Sequence, residues 1–166
     1  MITDTDLYKT AKDNKIPLVS VFMKDEPPKQ IYLGVGYIIN LQDASLNEGG
    51  THFVALYIPL HQNKIIYMDS FGFPPSESTL NWIRVSPLRA FKMLYNENQI
   101  QNINTGGCGI YSLFFIDYMN KQNKFKPLEE SLKSFQKLFS KDTRENLQRL
   151  KHYAPYYMDS KVSSIH

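Results

Sequence analysis

The run of residues 108–119, CGIYSLFFIDYM, constrains the fold more than any other stretch of this chain. Ile110, Leu113 and Phe114 recur at helical spacing, and aromatic or aliphatic side chains fill most of the other positions. A helix that is apolar nearly all round must be buried, because no face of it is suited to water. A chain of 166 residues, 42% of them hydrophobic, is long enough to surround it with one core. We therefore predict a buried central helix that starts at Cys108.

The rest of the chain predicts short strands and amphipathic helices. The segments PLVSVF, IYLGVGYIINL, THFVALYI and KIIYMDSFGF are rich in β-branched and aromatic residues and predict strands, the last two forming a hairpin closed by PLHQN. DTDLYKTAKDN, LEESLKSFQKLF and TRENLQRLKHY predict helices, and STLNWIRVSPLRAFKMLYN predicts a helix that breaks at Pro87. Helices around a small sheet, without regular βαβ alternation, indicate an α+β fold. We expect a small central mixed β-sheet flanked by helices, with residues 1–166 forming a single domain.

Composition and charge limit the cellular compartments and the binding partners that we expect for this chain. The N-terminal stretch MITDTDLYKTAKDNK lacks the apolar core of a signal peptide, and no stretch approaches the ~20 apolar residues of a membrane span. A single cysteine excludes an internal disulfide and a cysteine-rich zinc site, and it suits a reducing compartment. Between Lys121 and Lys151, nine basic residues stand against four acidic ones. This excess is typical either of a surface that binds nucleic acid or of a solvated helical face.

His52 and Asp69 are expected to meet across the predicted hairpin. If the turn is centred between Leu60 and His61, the two residues face each other in the antiparallel pair and lie on one face of the sheet. A carboxylate there would fix the tautomer of the imidazole and stabilise its charged form. Each residue also has an ordinary structural interpretation, His52 as a hydrogen-bonded strand residue and Asp69 as a cap of the strand end.

Cys108 is the candidate nucleophile. The N-terminus of a helix carries partial positive charge and free N–H groups, which favour the thiolate. Gly106, Gly107 and Gly109 remove side chains around the sulfur, so a substrate backbone could approach closely, and the Cys108 N–H could donate to an oxyanion. The alternative is an inert buried thiol. Joined to the histidine–aspartate pair, Cys108 completes a set of nucleophile, base and orienting acid.

Three separated motifs resemble those of the adenovirus-type maturation cysteine protease family. They are GGTHFVALY, YMDSFGF and QNINTGGCGIYSLFF, and they match the family in order and spacing. The tail LQRLKHYAPYYM also resembles the closing helix of the family, so the resemblance extends over nearly the whole chain, although it is looser at the N-terminus. Gln101 lies seven positions before Cys108, where the family carries the glutamine of its oxyanion hole. The SUMO and ubiquitin-like-modifier proteases share this catalytic layout.

The resemblance implies a role for each candidate residue. Cys108 would attack the scissile carbonyl, and His52 would act as general base and later as general acid. Asp69 would orient His52; adenoviral enzymes usually carry Glu at this position, whereas the modifier proteases carry Asp. The side-chain amide of Gln101 and the Cys108 N–H would form the oxyanion hole. No cofactor is needed for this chemistry, and no metal site is expected, because the other histidines lack partners at ligand spacing.

The resemblance also implies a substrate class. The chain would be a viral maturation protease that cleaves capsid or core precursor proteins of a double-stranded DNA virus at glycine-rich, Gly-Gly-like sites. It would act in the virion and in the reducing cytoplasm or nucleus of the infected cell, with no membrane partner. A composition rich in Asn, Lys, Ile and Tyr suggests an AT-rich genome, such as that of a virophage or a Maverick-type element.

The lone cysteine marks one departure from the family. The adenoviral enzyme is activated by a viral peptide joined to it through a second cysteine, which this chain lacks. A DNA or peptide activator would therefore bind without a disulfide, and the basic region between Lys121 and Lys151 would supply the surface for DNA. Two alternatives stay open: a ubiquitin- or SUMO-like isopeptidase of a pathogen, and a catalytically inactive binding module of the same fold.

Overall fold

The described part of the chain is built around a single mixed sheet. The computed structural model describes residues 2–42, 52–122, 126–159 and 161–162. Its strands are β1 (Leu18–Met23), β2 (Val35–Asn40), β3 (Phe53–Ile58), β4 (Lys64–Met68) and β5 (Lys92–Tyr95), which lie in the order β1-β2-β3-β4-β5. β1 runs parallel to β2 and β5 parallel to β4, while β2, β3 and β4 pair antiparallel. The prediction of an α+β fold with a mixed sheet is confirmed.

The helices of the described residues cover this sheet. They are α1 (Asp4–Asp13), α2 (Glu77–Arg84), α3 (Cys108–Gln122), α4 (Leu128–Lys137) and α5 (Asn146–Tyr153), and a 3-10 turn (Thr143–Glu145) precedes α5. Every residue from 108 to 117 is buried, so the predicted central helix that starts at Cys108 is confirmed. Within the described residues, no helix combines the length and the apolarity needed to cross a membrane.

The two faces of the sheet pack against different helices. On one face, α3 lies so close to β2 that a Cβ added at Gly36 would come within 2.6 Å of the Ile116 side chain. Only glycine leaves room for this approach, which sets the depth of α3 against the sheet. On the other face, Trp82 of α2 packs edge-on against Tyr37 of β2, with ring centroids 5.5 Å apart. The packing of α3 on the sheet places its first residue, Cys108, next to Phe53 at the start of β3.

The predicted elements differ from the structure mainly after α2. The helix predicted from STLNWIRVSPLRAFKMLYN ends at Arg84, before Pro87 as expected, but the residues that follow form β5 instead of more helix. β5 has only four residues and is stabilised by parallel pairing with β4, in which Lys64 lies opposite Lys92 and Tyr67 opposite Tyr95. That partner is distant in sequence, so local residue preference did not reveal the strand.

Candidate active site

His52 and Asp69 form a pair at one end of β3 and β4, in which Asp69 is buried and His52 is partly buried. His52 directly precedes β3 and Asp69 directly follows β4. The His52 Nε2 lies 2.8 Å from Asp69 Oδ1, so the predicted contact between the two side chains is present. Asp69 is 1% exposed, which removes this carboxylate from water.

The register that was expected to bring the pair together is wrong by two residues. Ala55 pairs with Met68, so the register, continued outwards, places Asp69 opposite Val54 instead of His52. The turn extends through Asn63, which adopts a positive φ of 52° as asparagine tolerates, and its centre therefore moves along the chain. A shift by an even number keeps both residues in the same alternating set, and they meet diagonally, within reach of long side chains.

Asp69 is held by several neighbours. Its Oδ1 also accepts a hydrogen bond from the Phe71 N–H at 2.8 Å. The buried Asn96 side chain accepts from the Asp69 N–H at 3.0 Å and donates to the Asp69 carbonyl at 2.7 Å. The Phe71 ring stacks on the His52 imidazole, with centroids 4.8 Å apart and planes inclined by 27°. Both the carboxylate and the imidazole are therefore fixed in orientation.

The surroundings of His52 favour its charged form. Burial alone would lower the pKa of His52, but the hydrogen bond to Asp69, the interaction with the neighbouring Cys108 and the negative charge of Asp69 outweigh burial and raise the pKa from 6.5 to about 9. Since Nε2 is engaged by Asp69, Nδ1 is the ring nitrogen left to exchange a proton with Cys108. With this raised pKa, His52 is mainly an imidazolium at neutral pH, next to the Cys108 side chain.

Cys108 is the first residue of α3 and is 4% exposed. The Phe53 N–H, at the start of β3, donates to its sulfur at 3.4 Å. One turn further along α3, the Ser112 hydroxyl donates to the Phe53 carbonyl at 3.4 Å. Two side chains of α3 thus contact the Phe53 backbone and connect the start of β3, next to His52, to the helix that carries the thiol. The partial positive charge of the helix N-terminus adds to the stabilisation of a negative sulfur.

Gln101 is fully buried, and its amide is held at both ends. The Ser70 hydroxyl donates to its Oε1 at 2.6 Å, and its Nε2 donates to the Thr105 carbonyl at 2.7 Å. Because the Thr105 carbonyl only accepts, these contacts fix which end of the amide is nitrogen. The Gln101 N–H also donates to the Ser70 carbonyl at 2.8 Å. Ser70 therefore links the segment that carries the acid to the glutamine.

The three glycines around Cys108 occupy different surroundings. Gly106 is buried before α3, and Gly107 adopts a φ of 102°, in the region that favours glycine. A Cβ at Gly107 would lie 3.5 Å from the Val162 side chain, so this residue borders the C-terminal segment. A Cβ at Gly109 would lie 3.2 Å from the Ile2 side chain. The absence of a side chain at Gly109 therefore serves packing against the N-terminal segment.

Sequence reasoning missed three residues of this site. Asn96 and Ser70 hold the candidate acid and glutamine, and Phe71 stacks on the candidate base. The motif YMDSFGF contains Ser70 and Phe71, so the position next to the acid was a usable signal for both. Asn96 had no such signal, because it is the last residue of STLNWIRVSPLRAFKMLYN, a segment expected to be helical, and several other amides follow it.

A thiol at a helix N-terminus, a histidine in contact with it and an aspartate that holds the histidine form the arrangement of a cysteine protease. Residues 42–150, more than half of the chain, match the model of the Ulp1 protease family, C-terminal catalytic domain. The chain belongs to this family. The resemblance inferred from the three motifs is thereby confirmed at the level of the superfamily that joins the adenovirus-type and modifier proteases.

The solved structures that are similar to the chain include two of the pS273R protease of African swine fever virus (ASFV). The selenomethionine form shares 20% identity with a TM-score of 0.46, over 73% of this chain and 42% of that chain. The second crystal structure shares 19% identity with a TM-score of 0.45, over 74% of this chain and 42% of that chain. The chain thus spans less than half the length of that protease. No curated protein sequence matches it.

Proposed function

We propose that this chain is a cysteine endopeptidase in which Cys108 is the nucleophile, His52 the general base and acid, and Asp69 the residue that orients His52. The observation that carries the proposal is the single chain of contacts from Asp69 through the imidazole to the first residue of α3. A merely structural histidine would not need a buried carboxylate on one nitrogen and a thiol beside the other.

The reaction follows from this order of groups. The Cys108 sulfur attacks the scissile carbonyl, and the His52 imidazolium gives its proton to the leaving amine, which leaves a thioester on Cys108. Neutral His52 then removes a proton from water, which attacks the thioester and releases the carboxylic acid, and the proton returns to the Cys108–His52 pair. Asp69 orients His52 and stabilises the imidazolium throughout.

The oxyanion of each tetrahedral intermediate needs donors. We assign this role to the side-chain amide of Gln101 and to the backbone N–H of Cys108. Support comes from the rigid, buried placement of Gln101, whose amide orientation is fixed by Ser70 and Thr105. A donor that is already oriented costs no rearrangement when charge develops in the reaction.

The substrates of the proposed enzyme are viral capsid or core precursor proteins, cleaved at Gly-Gly-like sites. The resemblance of the three motifs to the adenovirus-type proteases supports this class. A ubiquitin- or SUMO-like isopeptidase is the second candidate, and the match to the Ulp1 protease family favours it. Action in the virion and infected cell, and an origin in a virophage or Maverick-type element, belong to the first candidate.

A substrate panel separates these candidates. We would compare cleavage of a fluorogenic Gly-Gly peptide, a peptide with two leucines at the same positions, and ubiquitin and SUMO carrying a C-terminal fluorophore, with Cys108→Ala as the control. Cleavage of the Gly-Gly peptide over the leucine peptide supports the maturation protease. Cleavage confined to the modifier substrates supports the isopeptidase. If no substrate is cleaved and Cys108 reacts with iodoacetamide as an ordinary thiol does, the chain is a binding module.

A DNA activator is a separate part of the proposal. Several basic residues between Lys121 and Lys151 pair with acids of this chain, as Arg149 does with Glu145. Lys133, Lys137 and Lys141 line a groove of about 700 Å³ between the residues that follow β5 and α4, where the three lysines outnumber the single acidic residue of the lining, Glu97. The concave, lysine-lined surface supports binding of an anionic partner.

The DNA test uses cleavage rates with and without a short duplex at two salt concentrations. Replacement of Lys133, Lys137 and Lys141 by glutamine should remove any stimulation, whereas Lys9→Gln, at an i,i+4 pair with Asp13 on α1, serves as the matched control. Absence of a DNA effect at low salt would contradict this part of the proposal, because phosphate contacts are strongest there.

A further inference from the structure

Asn96 is a fully buried amide that belongs to no helix or strand. It follows β5 directly and is 0% exposed. Burial of an amide is costly unless its donors and acceptor are satisfied. Its Oδ1 accepts from the Asp69 N–H at 3.0 Å, and its Nδ2 donates to the Asp69 carbonyl at 2.7 Å and to the Asn98 carbonyl at 3.1 Å. Two of these three hydrogen bonds go to the backbone of one residue.

The position of Asn96 explains why Asp69 needs it. β4 and β5 pair in parallel up to Tyr67 and Tyr95, and beyond that point the ladder stops. The Asn96 side chain there accepts from the Asp69 N–H and donates to its carbonyl, as a neighbouring strand would otherwise have done. The Gly72 N–H also donates to the carbonyl at 2.8 Å, whereas Asn96 is the partner of the Asp69 N–H. Asp69 is thereby fixed at a place where the sheet itself no longer holds it.

Because the Asp69 backbone is fixed, the Asp69 side chain can fix the orientation of His52. The Asp69 backbone is held at both its N–H and its carbonyl. The Asp69 Oδ1 accepts from the Phe71 N–H at 2.8 Å and lies 2.8 Å from His52 Nε2. We propose that Asn96 is a positioning residue for the proteolytic reaction, which acts on His52 only through Asp69. This inference rests on the proposed function of the site.

The test replaces Asn96 and follows both turnover and the titration of His52. In Asn96→Ala, kcat should fall by about 10- to 100-fold with KM little changed, because a small displacement of the base lowers the chemical step. The pH profile of Cys108 alkylation by iodoacetamide should shift towards the profile of Asp69→Asn. If Asn96→Ala does not fold, Asn96→Ser, which keeps one polar group at the site, carries the same measurements.

Asn146 is the matched control, because it is equally buried and makes the same number of hydrogen bonds. Its Nδ2 donates to the carbonyls of Ile100 and Ser140 at 2.7 and 2.9 Å, and its Oδ1 accepts from the Ser140 N–H at 2.7 Å. Asn146→Ala should lower the melting temperature about as much as Asn96→Ala and leave the alkylation profile in place. An alkylation profile and kcat of the folded Asn96 variant equal to those of the wild type would overturn the proposal.

A double-mutant cycle tests the route through Asp69. In the Asp69→Asn background, Asn96→Ala should cause no further change in the alkylation profile, because the group that it positions has already been altered. A full additional change in that background would also overturn the proposal. Alkylation needs no peptide substrate, so a failure of the Asn96 proposal is seen in the alkylation profiles. A failure of the proposed protease activity is seen separately, in the substrate panel with Cys108→Ala as its control.

Discussion

Replacement of Asp69 by asparagine should separate the charge of the acid from its shape. Asp69→Asn keeps the size of the side chain and an oxygen that can accept from the Phe71 N–H. It removes the negative charge that, with its hydrogen bond, contributes most to raising the pKa of His52. The lowering of the His52 pKa by burial is then offset less, so the pKa falls.

The size of the effect follows from the protonation of His52. With a pKa of about 9, His52 is about 97% imidazolium at about pH 7.5. A pKa that returns to about 6.5 or below leaves about 10% or less imidazolium at the same pH. If the reactive thiolate exists as the partner of this imidazolium, its population and the alkylation rate should fall about tenfold.

The assay is the rate of iodoacetamide alkylation of Cys108, the single cysteine, followed by intact mass from about pH 5 to about pH 10. NMR of histidine labelled with ¹³C would report the titration of His52 directly. Asp117→Asn is the matched control: Asp117 is also a buried aspartate, but it lies on α3 and pairs with Lys121. It should leave both readouts unchanged.

Two results would refute this reasoning. One is an Asp69→Asn variant whose His52 still titrates at about 9, which would mean that the carboxylate does not support the imidazolium. The other is an alkylation rate at neutral pH equal to that of the wild type, which would mean that the thiol does not depend on the charge of His52.

Three further predictions concern the glutamine, the packing of α3 and the pH dependence of stability. Gln101→Ala should lower kcat/KM by about 100- to 1,000-fold and leave alkylation of Cys108 unchanged, and an equal loss in both assays would contradict its role as an oxyanion donor. Gly36→Ala should lower the free energy of unfolding by about 1–3 kcal/mol in urea titrations, because the new Cβ would overlap Ile116; an unchanged midpoint would show that the helix can move away. Because the folded-state pKa of His52 is raised, its contribution of about 3 kcal/mol should be full below pH 6.5 and lost as the pH rises through about 9, so the stability difference between wild type and His52→Gln should shrink across that window.

The candidate triad could be predicted from the sequence because its members lie beside strongly patterned elements. The apolar run after Cys108 required a buried helix, and two strand-like runs separated by a short turn required a hairpin. The contact between His52 and Asp69 was predicted correctly although the register was wrong. Side chains alternate along a strand, so a register shift by an even number leaves both residues on one face. The sequence therefore predicts which side chains meet more reliably than it predicts the exact register of the two strands.

The supports of the triad could not be predicted, because they depend on contacts that are distant in sequence. Asn96 acts on Asp69 only because β5 runs beside β4, and β5 itself was missed. A buried asparagine at the end of a strand has the same local sequence signal as an exposed asparagine in a loop. The same is true of Ser70, whose contact with Gln101 requires the segment after β5 to return to the end of β4.

The Phe53 amide has a practical consequence for following the chemistry of this site. Its hydrogen points at the Cys108 sulfur, whereas its carbonyl is held by Ser112. Any ligand that caps the sulfur, or any oxidation of it, changes the acceptor of this hydrogen bond while leaving the peptide in place. The ¹⁵N–¹H resonance of Phe53 is therefore an intrinsic reporter of occupancy, with which covalent inhibitors can be ranked before any substrate has been identified.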